Sequence, residues 1–90
     1  MIRVFLPTQV DSYCGGVREQ HFEASGIRTL SALMDALDAR FPGVRFRLVD
    51  EHNAIRRHIA MFVGETMVHT LDVPLSDGDR VQIVGALSGG

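Results

Sequence analysis

Apolar and polar residues alternate along "MIRVFLP": Ile2, Val4 and Leu6 fall on one face, Arg3 and Phe5 on the other. A period of two predicts a strand with one buried side, and Pro7, which has no N–H for a ladder, predicts its end. The next segment, "TQVDSYCGG", carries Asp11, Ser12, Gly15 and Gly16 and reads as turn chemistry. "VREQHFEAS" then returns as a second strand, so the chain is expected to open on a β-hairpin. Over "TLSALMDALDARFPG" the period changes. Leu30, Leu33, Met34, Leu37 and Phe41 line up as one apolar stripe of a helix. Thr29 is the expected N-cap, because its hydroxyl can accept from a free N–H of the first turn. Pro42-Gly43 is the expected stop: proline disfavours helix at the residue before it, and glycine tolerates positive φ.

The remaining elements are shorter. "VRFRLVD" alternates weakly at Val44, Phe46 and Leu48 and predicts a short strand or an irregular segment. "EHNAIRR" is a polar loop. "HIAMFVG" is a strong strand, with Ile59, Met61 and Val63 on one parity and Ala60 and Phe62 on the other. "ETMV" is a short strand after a turn at Gly64-Glu65. "PLSDGD" is a tight turn, since Asp-Gly supplies the backbone angles such turns need. "RVQIV" is the last strand, with Val81 and Ile83 facing inward. The order is β-β-α-(β)-β-β, and one helix must cover one face of one mixed sheet, because neither amphipathic surface can stay in water. This is the order of an α+β fold of the ubiquitin-like β-grasp kind, with four to five strands and one crossing helix. Residues 1–84 are expected to form the domain and 85–90 an extended tail ending in Gly-Gly.

Composition narrows the function classes. The 90 residues carry a formal net charge of −2, and a general nucleic-acid binder would usually show a basic excess. Arg45/Arg47 and Arg56/Arg57 read as solvated surface. The single cysteine, Cys14, allows no internal disulfide and no paired-cysteine metal site. It also excludes an iron–sulfur protein of the same fold, which would need four. His21, His52, His58 and His69 lack ligand spacing, so no bound metal is expected. Asp77 and Asp79 sit at a hairpin tip rather than in an acid/base pocket. Asp35 and Asp38 read as the solvated face of the helix, and Gly15-Gly16 lacks the spacing and the lysine of a phosphate loop. No secretory signal is apparent in "MIRVFLPTQV", and no apolar run approaches the roughly 20 residues that span a bilayer. The expectation is a cytoplasmic protein with no membrane partner.

The ending "PLSDGDRVQIVGALSGG", taken with the helix opening "TLSALMDAL", the "FPG" stop and the late strand "IAMFVGE", resembles the MoaD/ThiS-type sulfur carrier proteins, prokaryotic relatives of ubiquitin. Its specific part is Leu75, Asp77-Gly78-Asp79, Val81 and Ile83 followed by Gly89-Gly90. The resemblance covers essentially the whole chain. Gly85-Ala86-Leu87-Ser88 stands where molybdopterin-synthase small subunits tend to have prolines. The middle segment "RFRLVDEHNAIRRH" is longer than in the shortest carriers. That longer middle leans toward carriers serving amino-acid or specialised thio-metabolite pathways.

The resemblance implies a chemistry for that ending. A backbone α-carboxylate has a reference pKa of about 3.3–3.7, so at neutral pH it is an anion and a poor electrophile. To accept sulfur, the Gly90 carboxylate must first become an acyl adenylate. That takes ATP and an E1-like adenylyltransferase; the carrier itself binds no cofactor. A sulfur donor protein or sulfide then leaves a thiocarboxylate on Gly90, which an acceptor biosynthetic enzyme consumes. Ala86, Leu87, Ser88 and Gly89 would enter the partner's channel and contact it, glycine permitting close backbone approach. Six extended residues span at most about 20 Å at ~3.3–3.6 Å each. A metalloprotease becomes a partner if the chain is made as a longer precursor. On this reading the chain is a carrier and not a catalyst. Phe5, Phe62 and Val84, on the sheet face away from the helix, are candidate partner contacts. Three alternatives stay open: the small subunit of molybdopterin synthase, a ubiquitin-like modifier joined to lysines through Gly90, and a β-grasp interaction module with an inert tail.

Overall fold

Ile2, Val4 and Leu6 are buried while Arg3 is exposed and Phe5 half-buried, so the opening alternation becomes a strand with one covered face. The computed structural model describes residues 1–85. Strand β1 (Ile2–Phe5) pairs antiparallel with β2 (Glu19–Phe22), with Ile2 opposite Phe22 and Phe5 opposite Glu19. The connection between them is more ordered than its turn residues predict. A 3₁₀ turn (Thr8–Val10) leads into a short helix α1 (Asp11–Cys14). Val10 and Cys14, four apart, are both buried, and that spacing is what a helical turn brings to one side.

Helix α2 (Leu30–Arg40) follows β2 and forms as its stripe requires. Thr29 Oγ1 accepts from the Ala32 N–H at 3.2 Å, and Leu30, Leu33, Met34 and Leu37 are fully buried. Past its end Gly43 adopts φ 98°, a left-handed conformation that an L side chain resists, with the Tyr13 ring packed beside it.

The segment expected as a short strand or an irregular stretch is a helix instead, α3 (Val44–Leu48). Val44 and Leu48 are buried while Phe46 is 59% exposed, so the alternation was a helical i, i+4 pair with an outward residue between. Asp38 is the residue that decides this. Its Oδ1 accepts from the N–H groups of Gly43 and Arg45, both at 3.0 Å, and so satisfies free donors at the start of α3. Asp38 was expected to be idle solvated surface; it joins two helices. Asp35 forms an ion pair with Arg45, Oδ1 to Nε 2.9 Å, across the same junction.

Strands β3 (Ile59–Val63), β4 (Thr66–Val68) and β5 (Arg80–Gly85) complete a five-stranded sheet ordered β2-β1-β5-β3-β4. β5 lies in the middle, parallel to β1 and antiparallel to β3. Ile2, Val4, Met61, Val81 and Ile83 face α2 in one continuous core. β5 runs one residue beyond the predicted strand end.

In the loop after α3, Asp50 Oδ1 accepts from the backbone N–H of His52 at 2.8 Å and of Ala54 at 3.0 Å. These bonds hold the Asp50 carboxyl below the usual carboxylate range. Arg18 does the same for Asp11, and the amine of Met1 for Asp77. The folded chain therefore binds protons less readily at these groups than the unfolded chain. Their contribution is present above the ordinary carboxylate pKa of about 4 and is lost as pH falls through the lower folded values. The urea midpoint is expected to hold from pH 7 to 5 and to decline below about pH 4. Asp50→Asn should flatten that decline; an unchanged pH profile would remove Asp50 from the explanation.

Candidate functional site

The face of the sheet opposite α2 carries the sequence-predicted partner contacts. Across the strands the register aligns Glu19, Phe5, Gln82, Phe62 and Met67 in one row, each residue opposite its neighbour. With strands roughly 4.8 Å apart, Phe5 and Phe62 stand about 10 Å apart with Gln82 between them. They are two anchors on a line rather than a stacked pair. Both are half-buried, Val84 is 40% exposed and Met67 47% exposed. Val84 lies one step along β5 from Gln82, opposite Ala60. Among the described residues no helix covers this face. On its far side His21, Arg3 and Arg80 form a second row by register, and all three are exposed. The face is thus an apolar centre bordered by two arginines, with His21 Nε2 2.8 Å from Glu19 Oε2 at its edge.

Of the sequence-predicted residues, Phe5, Phe62 and Val84 are brought together on this surface. Ala86, Leu87, Ser88, Gly89 and Gly90 lie outside the described residues. The last described residue, Gly85, belongs to the same strand as Val84. A partner that grips the sheet face therefore holds β5, the strand that leads to residue 90. Met67 was missed by the sequence reading. The signal was available: one residue into a short strand after the Gly64-Glu65 turn, its parity matches that of Phe62.

The features set aside on sequence find structural roles. Cys14 is buried with Sγ 3.9 Å from the Asp11 carbonyl oxygen. Asp77 pairs with the Met1 amine, and Asp79 Oδ2 accepts from the Ser76 N–H at 2.8 Å, so the turn before β5 is held by its own carboxylates; it is not the hairpin tip the sequence suggested, because β5 pairs with β1 and β3 while β4 pairs with β3. The arginine pairs are more engaged than solvated surface would be. Arg47 Nε donates to the Tyr13 hydroxyl at 2.8 Å, and Arg56 lies 4.5 Å from the centroid of the Phe46 ring while donating to the Phe46 carbonyl. Among the described residues no group of three or more His, Cys, Asp or Glu side chains could hold a metal ion, and no helix is long and apolar enough to cross a membrane.

With this geometry in view, comparison with known proteins places the chain. The ThiS family model matches residues 4–90. The chain belongs to the ThiS family. Along its full length this ThiS-family chain is similar to the sulfur carrier protein CysO of Mycobacterium tuberculosis, 31% identical over 94 aligned positions covering 99% of this chain and 98% of the relative. Its fold matches a chain in the crystal structure of the Amycolatopsis orientalis BexX/CysO complex with a TM-score of 0.87, 27% identity and complete coverage of both chains. SAMP1 of Haloferax volcanii shares the fold at a TM-score of 0.80 and 20% identity, covering 99% of this chain and 98% of that one. The expected α+β ubiquitin-like β-grasp is therefore the fold of this protein, and the relative it matches end to end is named a carrier rather than a catalyst.

Proposed function

We propose that this protein is a sulfur carrier whose Gly90 carboxylate is converted to a thiocarboxylate. The observation that carries the reading is the end-to-end match to a relative named a sulfur carrier, with the family pattern running through residue 90. A carboxylate oxygen of Gly90 attacks the α-phosphorus of ATP in an E1-like adenylyltransferase and pyrophosphate leaves. A sulfide or persulfide sulfur, from a donor protein or from free sulfide, adds to the acyl carbon and AMP leaves. With a persulfide donor the product is first an acyl disulfide, and a thiol then attacks the donor's sulfur, breaks the S–S bond, ends as a disulfide with the donor and leaves the thiocarboxylate. The product holds sulfur where oxygen was, and an acceptor enzyme consumes it. The CysO name of the relative favours an acceptor in amino-acid biosynthesis.

The fold supports the role by separating handle from cargo. β5 is hydrogen-bonded on both sides, so the strand leading to the reacting end is anchored in the middle of the sheet. The open face beside it is the docking surface for the adenylyltransferase. Its bordering arginines, Arg3 and Arg80 side by side, fit an enzyme surface that carries carboxylates around an apolar patch. Phe62→Ala is expected to weaken binding on the order of tenfold while the melting temperature stays close to that of the unaltered chain. A parallel loss of stability and affinity would mean that Phe62 serves the core instead.

One fact of composition bears on the modifier alternative. None of the 90 residues is lysine; all nine cationic side chains are arginine. A copy of this chain therefore offers no side-chain amine to another copy, and chains linked through lysine cannot form from it. ATP–pyrophosphate exchange with the adenylyltransferase encoded by the same organism tests the carrier reading. Exchange that depends on the carrier and on its terminal glycine is the expected result; carrier-independent exchange would remove the support for it.

A further inference from the structure

Gly85 has no conformational reason to be glycine. It is the last residue of β5, opposite Ile59, and it is not among the glycines with positive φ. The reason is space. A β-carbon built on Gly85 would fall inside the Gln9 carboxamide, overlapping Cδ, Oε1 and Nε2. The alternation of β5 turns Val81, Ile83 and residue 85 toward the helix side, so Gln9 covers that side of the strand end.

Gln9 is well placed to stay there. It sits in the 3₁₀ turn after β1, between buried Pro7 and fully buried Val10, and the Val10 N–H donates to the Pro7 carbonyl at 3.2 Å. The turn is thus pinned on both sides while the Gln9 side chain projects over Gly85. A carboxamide offers two donors and an acceptor, the groups needed to hold peptide units. Gln9 occupies the place a side chain at position 85 would take, at the residue from which the chain continues to 90.

We propose that Gln9 is a positioning residue for the carrier terminus: resting on Gly85, it sets the direction in which the chain leaves the sheet. Its consequence for sulfur loading rests on the carrier reading above. A chain end released in one direction searches less space before its carboxylate meets ATP, and orientation of this kind acts on rate. Docking uses the opposite face of the sheet, so affinity should be untouched.

The test has two arms on the full chain. In NMR of the protein alone, an NOE between the Gln9 side-chain amide protons and the Gly85 α-protons is expected; its absence overturns the contact whatever any enzyme does. In loading assays with the adenylyltransferase, ATP and sulfide, Gln9→Ala is expected to lower the maximal rate about tenfold with KM for the carrier within about twofold. Gly85→Ala should act likewise by displacing Gln9. The double variant should be no slower than either single one, because both remove the same contact. Equal rates for Gln9→Ala and the unaltered chain overturn the proposal, and so does a rate loss that tracks a fall in melting temperature or a rise in KM. Failure of the unaltered chain to load would contradict the carrier reading instead, and the Gln9–Gly85 contact is then decided by the NOE alone.

Discussion

Deletion of Gly90 is expected to abolish sulfur loading, with no thiocarboxylate detectable under conditions that load the unaltered chain to completion. The shortened chain still ends in a carboxylate, now on Gly89, so the chemistry of the reacting group is unchanged. What changes is its position: one extended residue is about 3.5 Å, and reacting atoms must approach within roughly 3–3.5 Å to react. A carboxylate that stops one residue short is out of line with the α-phosphorus of ATP. Appending one glycine after Gly90 overshoots by the same distance and should also fail. Affinity for the adenylyltransferase, measured without ATP, should fall much less if the sheet face is the docking surface, as proposed. Full loading of the shortened chain would show that the terminus is not read at residue resolution.

Leu37→Ala is the second large effect, and it falls on stability. Leu37 is fully buried on α2 and belongs to the continuous core that joins the helix to the sheet. Truncating such a leucine removes transfer free energy and leaves a cavity, a loss of about 2–5 kcal/mol. A domain of this size holds on the order of 5–15 kcal/mol in total. Each kcal/mol moves the midpoint by about 4–8 °C, so the melting temperature should fall by at least about 8 °C. Loading measured well below the new midpoint should still proceed, because the core supports the handle and does not meet the cargo. A fall in melting temperature of only a degree or two would mean that α2 is not packed as described.

How far the fold was legible follows from particular residues. The stripe Leu30, Leu33, Met34 and Leu37 has only one solution, a helix, and the alternations at 2–6 and 80–84 likewise have one. Val44, Phe46 and Leu48 have two. Apolar residues at i, i+2 and i+4 suit a strand by parity and a helix by the outer pair, and five residues cannot separate the periods. The choice was made by Asp38, six residues upstream of Val44, and by Gly43, neither of which belongs to the segment. The same ambiguity hid the helical turn at Val10 and Cys14 behind the turn-forming residues around it. For the site, parity was enough to place Phe5, Phe62 and Val84 on one face. It could not say that Gln82 separates the two phenylalanines, since that needs the strand order. The Gln9–Gly85 contact joins residues 76 apart in the chain and leaves no local mark on the sequence.

The proposed function places the transferred sulfur on the backbone carbonyl of residue 90. Intact-mass spectrometry, followed by fragmentation of the chain after incubation with the adenylyltransferase, ATP and sulfide, tests it most directly. The expected result is a mass gain equal to the difference between one sulfur and one oxygen atom, confined to the fragment that contains Gly90 and absent without ATP. A gain that maps to Cys14, or no gain while ATP is consumed in a carrier-dependent way, would contradict it.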